Sequence, residues 1–146
     1  MATSNNGQYV SICASGCIYV STDFGVTSIK KTFVDVIFAV AMSSSGQYQF
    51  AVSTGAPSAD IYNSKDFGST WQSNFSFMSP PLSYNQWMQT VAVSPNGKYV
   101  LCGCSNGALN HASIDFGTTF VSFPTSSDKI TSAVADDGFA GWSSCG

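Results

Sequence analysis

All eight acidic residues of this 146-residue chain are aspartates, and the sequence holds no glutamate and no arginine. Any acid–base or nucleophilic chemistry must therefore come from Asp, Lys, Ser, Tyr, Cys or the single histidine, His111. Two aspartates suffice in principle for glycoside hydrolysis, one carboxyl protonating the leaving oxygen while the other attacks or activates water. Asp23, Asp66 and Asp115 belong to a repeated phrase taken up below, which leaves Asp35, Asp60, Asp128, Asp136 and Asp137 as candidates. Asp136 and Asp137 fall where a hairpin turn is expected, and solvated turn carboxylates are the plainer reading of that pair. A serine nucleophile would have to recruit His111 as its base, and a lone His on an expected strand reads first as a packing or surface residue. Zinc is not expected, because Cys102 and Cys104 are separated by a single residue and His111 has no partner at ligand spacing. The lysines, Lys30, Lys31, Lys65, Lys98 and Lys129, are scattered in a chain of net charge −3, so there is no basic footprint for nucleic acid. No cofactor is expected.

The elements that must position these groups are announced by a phrase written three times: Ser21-Thr22-Asp23-Phe24-Gly25-Val26-Thr27, Ser64-Lys65-Asp66-Phe67-Gly68-Ser69-Thr70-Trp71 and Ser113-Ile114-Asp115-Phe116-Gly117-Thr118-Thr119-Phe120. Upstream of each stands a second phrase, Asn6-Gly7-Gln8-Tyr9, Ser45-Gly46-Gln47-Tyr48 and Asn96-Gly97-Lys98-Tyr99, which returns in degraded form as Asp137-Gly138-Phe139. The copies recur at roughly 40–50 residues, the length of one four-stranded propeller blade. Three full repeats, approximately 1–39, 40–89 and 90–132, and a partial fourth, 133–146, are expected in one domain.

Within the third repeat, Thr90 to Ser94 alternates toward a Pro-Asn-Gly turn, and Lys98 to Cys104 follows as a second strand. Asn96-Gly97 is the strongest short hairpin signal, since both residues accept the positive φ of a type I′ turn. Ala108 to Ser113 and Thr119 to Phe123 complete four antiparallel strands around the Asp-Phe-Gly phrase. The first repeat reads the same way, and the second adds a longer turn at Gly55 to Ala59. In the phrase itself the Asp carboxylate can accept backbone N–H groups of the turn, the Gly supplies a conformation closed to residues with a Cβ, and the terminal aromatic can plug between neighbouring sheets.

The second copy matches, in Ser64, Asp66, Gly68, Thr70 and Trp71, the motif known as the Asp-box or bacterial neuraminidase repeat, and the chain resembles that β-propeller repeat family. The third copy fits through Ser113, Asp115, Gly117 and Thr119, with Phe120 in the aromatic place. The first keeps Ser21, Asp23, Gly25 and Thr27 but has Ser28 where an aromatic belongs, which predicts a looser first blade. The resemblance covers most of the chain and implies four-stranded propeller blades, as in sialidases, sortilin-like receptors, some glycoside hydrolases, lectin-like propellers and repeat proteins of phages and large viruses. Those proteins share blades rather than one activity. Sialidases resembling this family grip a substrate carboxylate with three arginines and use Tyr, Glu and Asp at the cleaved bond. Five scattered lysines cannot reproduce bidentate guanidinium geometry, so sialidase chemistry is excluded for this chain alone. The Asp-Phe-Gly triplet shares its spelling with the metal-binding element of protein kinases, but it occurs three times and no His-Arg-Asp accompanies it.

Only 9% of the residues are charged, against about 25% in average domains, and Ser, Thr, Asn, Gly and aromatics take their place. That composition resembles the hydroxyl-rich surfaces of secreted or virion proteins and leads to an expected location outside the cell or on a virus particle, although no signal peptide is visible at the N-terminus. The apolar segment Val34 to Met42 is too short to span a membrane and is interrupted by Asp35. The five cysteines, Cys13, Cys17, Cys102, Cys104 and Cys145, permit two bridges with one thiol left over. Cys13 and Cys17 could face each other across a short hairpin, whereas Cys102 and Cys104 should share one face of a strand. Asn74-Phe75-Ser76 is a glycosylation sequon for an exported chain.

Two functional readings follow. The segment from Ser76 to Gln89 is the longest departure from the repeat, and its Tyr84, Asn85, Gln86 and Trp87 could stack on and hydrogen-bond a sugar; alternatively, Trp87 simply plugs a sheet interface. The reading preferred here is structural. Three repeats and part of a fourth do not close a propeller of about four to eight blades, and unpaired edges are completed by other copies of the chain through head-to-tail strand sharing, or by missing blades of a longer polypeptide. The expectation is a non-enzymatic, self-assembling all-β repeat protein of an extracellular filament or virion-like assembly, with a carbohydrate-binding module as the alternative and a glycoside hydrolase as the remotest possibility.

Overall fold

Period-two alternation punctuated by glycine turns produces a chain of antiparallel strands. A computed structural model describes residues 1–54, 58–78, 87–105, 109–123, 130–134 and 140–144, with no helix among the described residues. The first blade comprises β1 (Ala2–Thr3), β2 (Val10–Ala14), β3 (Cys17–Ser21) and β4 (Ile29–Thr32), each antiparallel to the next. The second comprises β5 (Val36–Met42), β6 (Gln49–Thr54), β7 (Ser58–Ser64) and β8 (Gln72–Met78). The third comprises β9 (Trp87–Val93), β10 (Val100–Ser105), β11 (Asn110–Ser113) and β12 (Val121–Phe123). A further hairpin pairs β13 (Ile130–Val134) with β14 (Ala140–Ser144). The strand limits fall a few residues ahead of the repeat limits read from the sequence, because the apolar runs at Val36 and Trp87 already form the first strand of the next blade. Ala59 likewise lies within β7 rather than in the longer turn expected there.

The core lies between blades rather than inside one sheet. Ile18 and Val20 of the first blade pack against Ile37, Val40, Ala51 and Tyr62 of the second. The other face of the second blade, with Phe50, Val52, Ala59 and Ile61, packs against Met88, Val100, Cys102 and Cys104 of the third. A strand covered on both faces reads as a continuous buried run, and β6 is buried from Gln49 through Ser53. A single bridge pair, Thr54 with Trp87, joins β6 to β9 at the rim.

Two expectations are corrected by the hairpin geometry. At Asn96-Gly97 only Gly97 enters the left-handed region, with φ +84°, so the turn is not type I′. The Asn96 carboxamide accepts hydrogen bonds from the Ser94 hydroxyl at 2.7 Å and the Lys98 N–H at 2.8 Å, and the Gly97 N–H returns to the Ser94 carbonyl at 2.8 Å. The side chain thus closes the turn from inside, as Asn does when it competes for local backbone groups. The Cys13–Cys17 bridge is absent: both are free thiols, and the register pairs Cys13 with Ile18 and Cys17 with Ala14, placing the two sulfurs on opposite faces of the hairpin. Cys102 and Cys104 are also free, and they share the second-to-third blade core as expected. Cys145 lies outside the described residues.

Candidate functional site

Each Asp-Phe-Gly phrase forms the turn between the third and fourth strands of its blade, and its hydrogen bonds are nearly identical in the three copies. In the second, the Asp66 carboxylate accepts from the Ser64 hydroxyl at 2.8 Å, the Thr70 N–H at 2.9 Å and the Thr70 hydroxyl at 2.6 Å, while the Ser64 hydroxyl accepts the Gly68 N–H at 2.9 Å. Asp23 with Ser21 and Thr27, and Asp115 with Ser113 and Thr119, repeat the pattern. The first turn is therefore as tightly bonded as the others despite Ser28, and the looser first blade expected from that departure is not a looser turn. The donors favour the ionised carboxylate. The Thr119 hydroxyl foremost holds Asp115 down at about 2, and the Thr27 hydroxyl lowers Asp23. At Asp66 burial pushes the pKa up, but the bonds from Thr70 and Ser64 outweigh it and the net shift is downward. Groups so committed are braces, not acids or nucleophiles.

The sequence did not announce that the residue before each glycine is itself left-handed: Phe24, Phe67 and Phe116 have φ of 61°, 61° and 60°. An aromatic residue there is costly, and its use is visible between blades. The Tyr9 ring of the first blade stacks on Phe67 of the second with centroids 4.6 Å apart, and Tyr48 of the second lies on Phe116 of the third at 4.9 Å. The same tyrosines cover Gly46 and Gly97, where an added Cβ would collide with the Tyr9 and Tyr48 rings respectively. The Gly-x-Tyr phrase of one blade thus docks on both phrases of the next. Their recurrence once per repeat was the available signal. Two backbone bonds run the same way, from the Asn5 N–H to the Ser44 carbonyl and from the Ser44 N–H to the Pro95 carbonyl, each at 2.8 Å. Lysines add to them: Lys31 Nζ reaches the Ser69 carbonyl at 2.7 Å and Lys65 Nζ the Thr118 hydroxyl at 3.3 Å.

Of the uncommitted aspartates, the fold brings Asp35 and Asp60 together at the Tyr62 hydroxyl, which lies 2.8 Å from Asp35 Oδ2 and 3.4 Å from Asp60 Oδ2. Burial first, then Asp35, pushes the Tyr62 phenol well above its ordinary value, so it remains a neutral donor, bonded to Asp35 with Asp60 at longer range. Beside them a groove of about 400 Å³ between the first two blades is lined by Lys30, Lys31, Phe33, Tyr62 and Trp71 among others. Trp71 is the expected plug. Its ring lies edge-on to Phe33 at 5.8 Å, and its indole N–H donates to the Gly68 carbonyl at 3.1 Å.

His111 is fully buried on β11, with Nδ1 2.9 Å from the Ser122 hydroxyl, and burial lowers its pKa to about 4. The pentad Gly103-Cys104-Ser105-Asn106-Gly107 has the spelling of a nucleophile elbow. Its Ser105 is the last residue of β10, paired with Trp87 on β9, and so belongs to a strand pair rather than to the sharp turn in which an elbow places its serine. Cys104 is pushed up to about 12 by burial, and burial raises Cys102 as well, so both are inert thiols. No group of three or more metal-ligating side chains occurs among the described residues, nor does any helix long and apolar enough to cross a membrane. Asn74 lies on β8 and Trp87 opens β9. Tyr84, Asn85, Gln86, Asp128, Asp136 and Asp137 lie outside the described residues.

No protein-family model and no curated protein sequence matches this chain. Solved structures do. The chain is similar to a GH74 enzyme of Niastella koreensis at 16% identity and a TM-score of 0.68, over 94% of this chain and 24% of that one. It is also similar to YCF48 in a structure bound to D1 peptide, at 13% identity and a TM-score of 0.55, over 83% of this chain and 37% of that one. The chain thus spans about a quarter of the first of these structures and under two fifths of the second. At these identities the likeness is one of fold, and it makes the architecture that of β-propeller blades.

Proposed function

We propose that this chain is a non-catalytic Asp-box repeat module that works by associating with copies of itself, in an extracellular filament or virion-like assembly. The observation that carries this reading is a difference in exposure between equivalent positions. On the second strand of each blade, one face looks back toward the preceding blade: Ala51 in the second and Cys102 in the third, each at 0% exposure. The equivalent residue of the first blade, Ile12, is 44% exposed, and Tyr19 beside it is 38% exposed. A propeller face patterned for burial and left open calls for a further blade against it, and another copy of this chain or a longer polypeptide would supply one. The non-catalytic part is supported by the three committed turn aspartates and by the engagement of Asp35 with the Tyr62 hydroxyl. Light scattering with electron microscopy over a range of concentrations tests it: rings or filaments support the reading, and a monomer at every concentration overturns it.

A second reading, glycan binding, is favoured by the groove of Phe33, Tyr62 and Trp71 flanked by Lys30 and Lys31, since aromatic faces beside polar groups suit sugar rings. Titration with neutral and acidic oligosaccharides, followed by chemical shifts around Trp71, should move these residues if the groove is used, and Trp71→Ala should abolish the response. Shifts confined to the Tyr84–Trp87 segment would place the sugar there instead.

A further inference from the structure

We infer that the pocket beside the paired carboxamides of Asn63 and Gln72, on the side of the second blade that meets the third, binds a single uncharged sugar unit. It depends neither on self-association nor on the groove of Tyr62 and Trp71, which lies between the first and second blades.

Three copies of one turn allow the same position to be compared within the molecule. Three residues before each turn aspartate and six after it stands the cross-strand pair nearest the turn. That pair is Val20 with Ile29 in the first blade, Ala112 with Val121 in the third, and Asn63 with Gln72 in the second. Partners in an antiparallel ladder lie on one face with Cβ atoms about 4.5–5.5 Å apart, so the second blade sets two carboxamides side by side where its neighbours set two apolar groups. Asn63 continues the face of Ala59 and Ile61, which packs against the third blade. It is 3% exposed, and its Nδ2 is buried and meets no acceptor in the protein. A buried donor left so is costly, and Val20 shows that the same backbone accepts an apolar side chain. The fold itself therefore does not call for an amide there.

The surroundings define the ligand. A pocket of about 160 Å³ is lined by Asn63, Lys65, Asp66, Thr70 and Gln72. Its counterpart between the first and second blades has the same volume but is lined by Val20, Thr22, Thr27, Ile29 and Phe67 among others. One cavity thus occurs twice, once largely apolar and once polar throughout. At ~30 Å³ per water it has the volume of about five water molecules, which suits one sugar ring and not a chain. Lys65 and Asp66 offset each other in charge, and both are engaged: Lys65 Nζ lies 3.3 Å from the Thr118 hydroxyl of the third blade, and Asp66 accepts from Ser64 and Thr70. An anion would meet the Asp66 carboxylate and a cation the Lys65 ammonium. Hydroxyl groups both donate and accept, as the two carboxamides do.

Chemical-shift titration of the whole chain with glucose, galactose, mannose and N-acetylglucosamine, and with acetate as the charged comparison, tests this. At least one of the sugars should move the side-chain amide signals of Asn63 and Gln72, and acetate should not. Asn63→Val combined with Gln72→Ile copies the first blade; it should weaken binding at least about tenfold and unfold at a temperature no lower than the parent's, because the unpartnered amide is gone. Asn63→Ala, which copies the third blade, serves if the double variant does not fold. No response to any of the four sugars, a response to acetate alone, or unchanged affinity in the variants would overturn the inference. Shifts around Trp71 with Asn63 and Gln72 unmoved would overturn it in favour of the groove. A marked fall in the variants' unfolding temperature would make the carboxamide pair a structural feature and overturn it as well.

Discussion

At the scale of single residues, a serine is the hinge of each turn. The Ser64 hydroxyl accepts the Gly68 N–H and donates to Asp66, and both Ser64 and Gly68 are buried. Removing it strands a backbone donor away from water, which costs about 1–3 kcal/mol. Ser21 makes the same two bonds, but Gly25 is exposed and its N–H can turn to solvent. Urea denaturation should therefore show Ser64→Ala destabilised by about 1–3 kcal/mol and Ser21→Ala by clearly less; equal losses would mean that the hydrogen bonds, not their burial, set the cost. This pairing was legible in part. The Ser-x-Asp-x-Gly-x-Thr spacing announces a self-bonded turn because each of its bonds joins residues no more than four apart. Nothing in that spacing says which copy is covered.

At the scale of elements, the hairpin between the first two strands of each blade is the contact point for its neighbour. Gly46 has φ +79°, and an added Cβ would meet the Tyr9 ring, whereas Gly7 has φ +76° and an open surface. Gly7→Ala should cost only the left-handed strain, about 1–2 kcal/mol. Gly46→Ala carries the same strain and must also displace the ring, a further ~1–3 kcal/mol as in other overpacked sites. Thermal unfolding of the two variants checks the difference, and a smaller loss at Gly46 than at Gly7 would show that the first and second blades are not packed through Tyr9. The hairpins themselves could be anticipated from Asn-Gly and Ser-Gly, but their turn type could not. It depends on whether the Asn96 side chain closes the loop from inside, and that competition is settled by the Ser94 hydroxyl and the Lys98 N–H around it.

At the scale of the whole molecule, stability depends on acid in two stages. Burial holds His111 at about 4 in the folded protein against an ordinary 6.5, so the unfolded chain binds the extra proton in that interval. Stability present above about pH 6.5 is accordingly lost as the pH falls toward 4. Asp115, held at about 2 against an ordinary 3.8, contributes stability above about pH 4 that is lost as the pH falls through 2, and Asp23 and Asp66 act in the same direction. His111→Gln should flatten the urea midpoint between pH 6.5 and 4 while leaving the lower stage intact. A parent-like slope in that variant would assign the upper stage to another group. The His was visible in the sequence as a lone imidazole on a strand, but its burial was not, because burial depends on what packs against β11 from elsewhere in the chain.

What the sequence determined alone is local: four-stranded units, the turns that separate them, the braces made by Asp23, Asp66 and Asp115, and the absence of any guanidinium or glutamate chemistry. Those features follow from bonds between near neighbours and from composition, so one chain of letters is enough. The tertiary structure decided how the units meet: that Tyr9 rests on Gly46 and Phe67, that Asp35 and Asp60 share one phenol, that Cys13 and Cys17 face apart, and that Phe24 is exposed where Phe67 and Phe116 are half-buried. Each of these depends on residues from different strands, and most depend on residues of different blades, whose relative position is set by sheet twist and by the packing of faces rather than by any interval in the sequence.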